Sequence, residues 1–444
     1  MLHLYIIQTF RRNDLVSPSK FHTDSHAFLL ENSEKLDKIS AYIYPPIGTR
    51  RETMIEIARG LAGVVVTESR LSRVDGEAGQ LIIAGFPLEE LAPKASFEEV
   101  LYLLWNDRLP NAQELEALKS EMVSHRSLPS ATVSILRATA ERKLSPMDAL
   151  RIGIDTLSLF DPNPSDNSRE VNERRAIVIL AAAPMIVASY WRLFNKKEPI
   201  EPDLSLSHAA NYLYMLTGEK PHPDAVRALE TYLNTVVDHG MNASTFTSRV
   251  IVSTQTDMFS GIVGAIGALK GPLHGGAPGP ALDMVFELRR RANQSGRSIS
   301  VEADDYVREM VSSGGRIMGF GHRVYKVRDP RADVLGAAAE RLFREAGDAQ
   351  LYEDARTVED VVVRVLEELK PGRRLQTNVE FYTALVLHGV GMSTDLFTPT
   401  FGISRAGGWT AHILEQLDEA VLIRPRVAYN GELGRKWVPL SDRE

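Results

Sequence analysis

The 444-residue chain is long enough to bury a large core and to hold two or three domains. Its 44% apolar and 25% charged residues are ordinary for a globular protein, and 51 basic against 58 acidic residues leave a net charge of -7, which gives no electrostatic footprint for nucleic acid. The absence of cysteine excludes disulfides, thiolate metal sites, iron–sulfur clusters and a thiol nucleophile; a cytoplasmic location fits, and no uninterrupted apolar run predicts a membrane partner.

Met1 to Arg12 places a short apolar stretch, Leu4 to Ile7, before Arg11 and Arg12, the reverse order to a secretory signal. The text from Asn13 to about Arg51 is polar and irregular, so residues 1–55 are predicted to be a loosely ordered extension. A short β region is expected at Gly63 to Gly85, where Val64-Val65-Val66 and Leu81-Ile82-Ile83 flank the turn-like Asp75-Gly76-Glu77-Ala78-Gly79. All that follows reads as helix, so the fold class is all-α, mainly helical. Apolar spacing predicts helices at Phe97 to Trp105, Ala112 to His125, Met147 to Leu159 and Ala176 to Phe194.

Between Asp224 and His239, Val226, Leu229, Leu233, Val236 and Val237 recur at helical steps and Gly240 follows as a stop, which puts His239 at a helix C-terminus. Asn242 can cap a helix starting near Ala243. The helix Met258 to Leu269 carries Gly261, Gly264 and Gly267 and is expected to pack tightly in the core or against a second subunit. Gly271 to Gly279 breaks the helical text as a candidate hinge. Helices are then predicted at Pro280 to Arg291, Val301 to Ser312, Ala332 to Ala346 and Thr357 to Leu369, the last with Thr357 and Asp360 as a capping box. Pro371-Gly372 precedes helices Val379 to Val390 and Arg405 to Leu417. The plan is a large domain, 56–274 with 377–444, and a smaller helical domain inserted at 275–376.

Of eleven histidines, three stand beside glycines where a ligand can approach: His239 before Gly240, His274 in the glycine-proline break, and His322 in Gly319-Phe320-Gly321-His322. Turn chemistry alone would also explain such positions. His388 and His412 read as satisfied core or surface groups. The histidines lie far apart with no HExxH spacing, so no metal is expected, and the glycine-rich run at Gly264 to Gly276 lacks the P-loop pattern.

Taken together, these stretches resemble one family. Asp238-His239 with Asn242-Ala243-Ser244-Thr245, Gly271-Pro272-Leu273-His274-Gly275-Gly276, Gly319-Phe320-Gly321-His322 with Asp329-Pro330-Arg331, Asn378-Val379-Glu380-Phe381-Tyr382, Ser404-Arg405 with Gly408-Trp409, and Arg424-Pro425-Arg426 are similar to citrate synthases, in the same order. The likeness runs from about residue 56 to the end. It implies a two-domain helical homodimer that joins acetyl-CoA to oxaloacetate by a Claisen condensation, with coenzyme A as part of the substrate and no cofactor. By resemblance, oxaloacetate is held by His239, His322, Arg331, Arg405 and, from the partner subunit, Arg424. Glu380 matches the base, His274 the donor to the thioester carbonyl, His322 the group that polarises the oxaloacetate carbonyl, and Ser244 the residue orienting His274. Backbone groups of Arg316, Ile317, Met318, Gly319, Phe320, Gly321 and His322 match the adenine contact, and Lys326 a phosphate contact.

Two positions depart from the family pattern. Glu380 stands where aspartate is usual, and one extra methylene moves a carboxylate by about 1 Å, enough to cost about a hundredfold in rate unless the backbone compensates. Val236 stands where many bacterial members have histidine; core packing explains it. Propionyl-CoA in place of acetyl-CoA, citryl-CoA lyase chemistry, and a non-catalytic paralogue that binds the same ligands are the rival readings.

Overall fold

The computed structural model describes residues 57–61, 63–275, 278–346 and 348–443; the extension expected at 1–55 lies outside the described residues, as do Gly276 and Ala277 of the glycine-proline break. Residues Val65–Pro425 form one compact unit. A second unit joins the two chain ends, Met1–Val64 and Arg426–Glu444, and its described residues carry only 3-10 turns at Arg59–Leu61 and Leu440–Asp442.

The compact unit opens with a three-stranded antiparallel sheet, β1 (Ser72–Asp75), β2 (Gln80–Ile83) and β3 (Phe86–Pro87). The Asp75–Gly79 turn joins β1 to β2 as expected, with Asp75 opposite Gln80. Val64–Val66 is not a strand: Val65 is 86% exposed, and a β-branched run without a partner has no ladder to join.

The remainder is helical. In chain order come α1 (Leu88–Leu91), α2 (Phe97–Asn106), α3 (Ala112–Ser124), α4 (Ser130–Glu141), α5 (Pro146–Leu157), α6 (Arg169–Phe194), α7 (His208–Thr217), α8 (Pro223–Val236), α9 (Ala243–Val252) and α10 (Met258–Leu269). Then follow α11 (Pro278–Ser295), α12 (Ile299–Ser312), α13 (Pro330–Ala346), α14 (Ala349–Leu369), α15 (Val379–Gly389) and α16 (Phe397–Glu419). The periodicity reading finds most of these but misses α1, α4 and α7, and α16 starts eight residues before its predicted Arg405. Thr357 is no cap: it lies inside α14, where its hydroxyl donates to Glu353 O (2.9 Å), and Asp348 caps the helix instead.

Helix α6 is long and apolar enough to cross a bilayer by length and composition. Charges crowd its first two turns (Arg169, Glu170, Glu173, Arg174, Arg175), so a search for an uninterrupted apolar run passes over it. In this fold it is a core helix, with Ile179, Leu180, Ile186 and Val187 fully buried against α4, α5, α7 and α16. Helix α10 packs on α9, where a Cβ at Gly264 would lie 2.1 Å from Ile251; the helix fits the core as expected, although Gly267 faces open space.

Helix α16 is buried along most of its length, including Thr400, Ser404, Arg405, Trp409 and Ile413. Gly408 permits its closest approach: a Cβ there would sit 2.3 Å from Val237 O, so only glycine lets α16 lie against the end of α8. Helix α11 packs on α12, and α14 on α12 and α13, while α13 also lies against α8 and α15. Helices α8, α13, α15 and α16 are thereby packed together, and the candidate residues come from them and from the loops that carry His274 and His322.

Candidate active site

The turn after α8 carries His239, three residues beyond the last helical position. Asp238, fully buried, anchors it: Oδ2 accepts from Ser72 Oγ in a short bond and from Gly240 N at 3.3 Å, and Oδ1 lies 3.1 Å from His412 Nε2. The tautomer of His412 follows from its other side. Arg249 Nη1, which can only donate, faces His412 Nδ1 at 3.4 Å, so Nδ1 accepts and Nε2 donates to Asp238. The His239 ring then sits with Nε2 3.1 Å from Tyr325 Oη and edge-on to His322, ring centres 5.9 Å apart. Burial, with Arg331 and Arg405 nearby, holds His239 well below the usual imidazole pKa.

His322 is fixed by its own loop. Its Nδ1 accepts from Val324 N (3.0 Å) and Tyr325 N (3.1 Å), so Nε2 carries the proton. Burial, reinforced by Arg331, depresses its pKa to about 4. Arg331 Nη2 lies 3.4 Å from that Nε2, and both are donors, so an acceptor placed between them would satisfy both. Arg331 is itself gripped by buried Asp329, Nε to Oδ1 at 3.0 Å and Nη2 to Oδ2 at 2.7 Å, while Nη1 has no partner among the described residues. The loop reaches α15 through a bridge between Phe320 and Thr377, and Asp329 Oδ2 also accepts from Val379 N (3.2 Å).

Glu380 is at the start of α15, where its N–H donates to the capping Asn378 Oδ1 (2.9 Å). Its carboxylate has no hydrogen-bond partner among the described residues. Burial raises its pKa to about 7; Arg331 opposes the rise and Asp329 adds to it.

Arg405, on α16, is 2% exposed and has no carboxylate within ion-pair distance among the described residues. Its Nε donates to Val236 O (2.7 Å) and its guanidinium stacks on Phe401, 4.6 Å to the ring centre; neither Nη has a partner. Burial lowers its pKa to about 10, which leaves it charged near neutrality. Val236 itself is fully buried, so its side chain serves the core as expected while its carbonyl holds Arg405.

His274 sits in the turn between α10 and α11, its N–H bonded to Gly271 O (3.0 Å). Ser244, in the first turn of α9, presents both N–H (3.3 Å) and Oγ (2.8 Å) to His274 Nε2. A backbone N–H is a fixed donor, so Nε2 accepts and Nδ1 carries the proton. Trp409 Nε1 donates to Ser244 Oγ (3.1 Å), whose single proton then goes to His274 Nε2. Burial, then the charge of Arg405, lowers the His274 pKa. Arg405 thus acts on His239 and His274, and Arg331 on His239, His322 and Glu380, so the six residues share one electrostatic neighbourhood.

Other expected residues fall outside this cluster. Arg424 follows α16 in extended chain, exposed and without a side-chain partner among the described residues. Of the expected adenine contacts, Ile317 is buried and Arg316 exposed, while Gly319 O accepts Asn378 N, Gly321 N donates to Gln376 O and Gly321 O accepts Asn378 Nδ2. Those three backbone groups are already satisfied, which leaves Arg316 to Met318 as the free stretch. Lys326 is exposed, with Nζ on Arg323 O (3.1 Å). Among the described residues no three His, Asp or Glu converge as metal ligands.

Sequence reading assigned no role to Ser72, Tyr325, Asp329, Trp409 or His412. Asp329 and Tyr325 had a local signal, two residues from Arg331 and three from His322. Ser72 and His412 had none, because their partner Asp238 is more than 160 residues away in the chain.

The family model for the citrate synthase C-terminal domain matches residues 60–426. The chain is 42% identical to the citrate synthase of Haloferax volcanii over 87% of its own length and 99% of that protein, and 36% identical to 2-methylcitrate synthase 1 of Corynebacterium glutamicum over 87% and 99%. Among solved structures, the citrate synthase of Pyrobaculum aerophilum superposes with a TM-score of 0.78 at 34% identity, covering 87% of this chain and 95% of that one. The Thermoplasma acidophilum citrate synthase in ternary complex with carboxymethyl coenzyme A and oxaloacetate gives 0.78 at 29% identity, covering 87% and 100%. With the expected fold present and the motif residues gathered at the helix ends, the chain belongs to the citrate synthase family.

Proposed function

We propose that the protein condenses acetyl-CoA with oxaloacetate and hydrolyses the resulting citryl-CoA, releasing citrate and free CoA. The observation that carries this reading is the pair of buried guanidiniums, Arg331 and Arg405, with NH groups that no acceptor in the described chain satisfies. Guanidinium donors left open to the space beside otherwise buried residues fit a small dicarboxylate, which guanidinium binds bidentately.

In this scheme His322 Nε2–H and Arg331 Nη2 take the oxaloacetate keto oxygen, and His239 with the two arginines takes its carboxylates. Glu380 removes a proton from the acetyl methyl group while His274 Nδ1–H donates to the thioester carbonyl oxygen, so the enol forms between base and donor. The carbon then attacks the carbonyl that His322 polarises, and water cleaves the citryl thioester. Both histidines are neutral donors, which suits a site where an added cation beside two arginines would be costly.

We assign the finer features on the same footing. Residues 275–376 form the smaller domain, which closes on the large one about the turn carrying His274. The protein works as a homodimer in which the partner's Arg424 completes the carboxylate clamp, in the cytoplasm, without cofactor or membrane. Coenzyme A rests on Arg316 to Met318, with Lys326 near its phosphates.

The test is release of free thiol from acetyl-CoA. It is expected only when oxaloacetate is present, and faster than with propionyl-CoA. Faster turnover of propionyl-CoA would reassign the enzyme as a 2-methylcitrate synthase; no thiol from either, at enzyme concentrations near those of substrate, would leave a non-catalytic binding protein.

A further inference from the structure

We propose that the β1–β2 hairpin is a positioning clamp that fixes His239 relative to His322, with Ser72 and Gly76 as its two points of attachment. This rests on the reading of both histidines as oxaloacetate ligands and adds what sets their spacing.

The hairpin touches both histidine loops, and the contacts close into a ring. At its base, Ser72 Oγ donates to Asp238 Oδ2 and accepts from Gly240 N (2.8 Å), so one hydroxyl ties both neighbours of His239. Near the tip, Gly76 O accepts Lys326 N (2.9 Å). A Cβ on Gly76 would lie 2.3 Å from Val324 O, and one on Gly79 would lie 2.7 Å from a methyl of Val327. The tip is therefore seated backbone to backbone on the stretch whose Val324 and Tyr325 N–H groups orient the His322 ring. The ring closes through Tyr325, whose hydroxyl meets His239 Nε2 at 3.1 Å.

The energetics favour a positioning role over a purely stabilising one. The strands are short, four residues each, and only β2 contributes to the core, through Leu81 and Ile83; Ser72 and Gly76 are not among the buried residues. Asp238 would be held without Ser72, because His412 and Gly240 N also reach it. What the hairpin adds is a rigid link between two loops that lie more than 80 residues apart in sequence, each carrying one imidazole. A strand pair positions groups more tightly than a loop does.

The experiment uses the full-length protein with Gly76→Ala, which drives a Cβ into a backbone oxygen, and Ser72→Ala, which removes hydrogen bonds without adding bulk. Oxaloacetate affinity is read by calorimetry without acyl-CoA. Gly76→Ala is expected to weaken binding by about tenfold or more, and Ser72→Ala by about three- to tenfold, with Ser72→Thr restoring most of the loss. Gln80→Ala, an exposed change on the same hairpin, is the control and is expected to bind normally. Hydrogen exchange supplies a readout that needs no substrate: Gly76→Ala should raise exchange at 322–327 and also at 238–242, although Gly76 contacts only the former. Wild-type binding in Ser72→Ala, or exchange at 238–242 that ignores Gly76→Ala, overturns the clamp. A wild-type protein that binds no oxaloacetate would instead overturn the functional reading, and the exchange coupling would still decide the clamp.

Discussion

Arginine is buried at two places along α16, and the chain treats the two differently. Near its C-terminal end, Arg249 from α9 is fully buried and fully answered: Gln416 takes Nε (2.9 Å), Glu415 takes Nη1 (3.1 Å) and Glu419 takes Nη2 (3.2 Å). About three turns earlier Arg405 is also deeply buried and receives one carbonyl oxygen. Burying a guanidinium without a counter-charge is costly, so a fold that tolerates it holds the group for something that arrives later. An arginine that is satisfied by its own chain supports the fold, whereas Arg405, unmatched and beside the other candidate residues, is open to a ligand. The charge of Asp238 opposes the loss of the Arg405 proton, although no salt bridge joins the two.

Replacing each arginine by methionine sharpens the contrast most. Arg249→Met leaves Glu415 and Glu419 without their cation and should destabilise the protein by about 3–5 kcal/mol, as breaking one side of a buried pair does. Oxaloacetate affinity of the folded fraction should be unchanged. Arg405→Met should do the opposite, weakening oxaloacetate by about 2–5 kcal/mol while leaving thermal stability equal or higher, because an uncompensated buried charge has gone. Urea unfolding and calorimetry on both variants decide it; equal destabilisation by the two would erase the distinction.

Carboxylates divide in the same way. Glu415 and Glu419 serve Arg249, whereas the Glu380 carboxylate has no hydrogen-bond partner among the described residues. Glu380→Gln keeps the shape and removes the base, and should lower kcat by about two to four orders of magnitude while oxaloacetate still raises the melting temperature. In the native enzyme kcat/KM should rise with pH through about 7, the point to which burial pushes this carboxyl. His239, His274 and His322, each held below the ordinary imidazole pKa, stay neutral over that range and add no second step. Unchanged turnover in the variant would sink the assignment of the base.

The comparison also separates what the sequence made legible from what it hid. Helix text was readable because apolar residues recur at three and four, and His239, His274, His322 and Glu380 were readable because each stands in a short local motif. Arg405 was readable only as part of such a motif; nothing in Ser404-Arg405 says that its Nη groups face no acceptor. Ser72 and His412 were hidden for the same physical reason: their roles come from contacts across the fold, and a single serine or histidine in strand or helix text carries no pattern. The β region was placed correctly, but Val64–Val66 was taken for its first strand because composition cannot tell a paired β-branched run from an unpaired one. The missed α4 contains Thr132, Ser134 and Thr139, polar residues that blur an apolar stripe, although Thr132 is buried and bonded to Thr156 (2.8 Å).

The smallest effect is on stability and follows from the same unpartnered carboxylate. Glu380 has its pKa raised from an ordinary 4.5 to about 7, so between those values the folded protein binds a proton that the unfolded chain does not. The sign follows: the contribution is fully present below about 4.5 and is lost as pH rises through about 7, at most about 3 kcal/mol. The histidines pull the other way, since their depressed pKa values make the fold gain stability as pH rises through 6.5. Glu230, also raised to about 7 by burial, works in the same direction as Glu380 but is opposed by Arg227 at 3.3 Å. The raw pH profile of stability therefore mixes opposing slopes and identifies none of them. The difference between native protein and Glu380→Gln cancels the histidines and Glu230 and isolates one group. Without oxaloacetate, that difference should favour the native protein at pH 5 and move toward the variant by pH 8. A difference that stays flat from pH 5 to 8 means the carboxylate is solvated or paired, and with it the contrast between satisfied and waiting charges would fail at this residue.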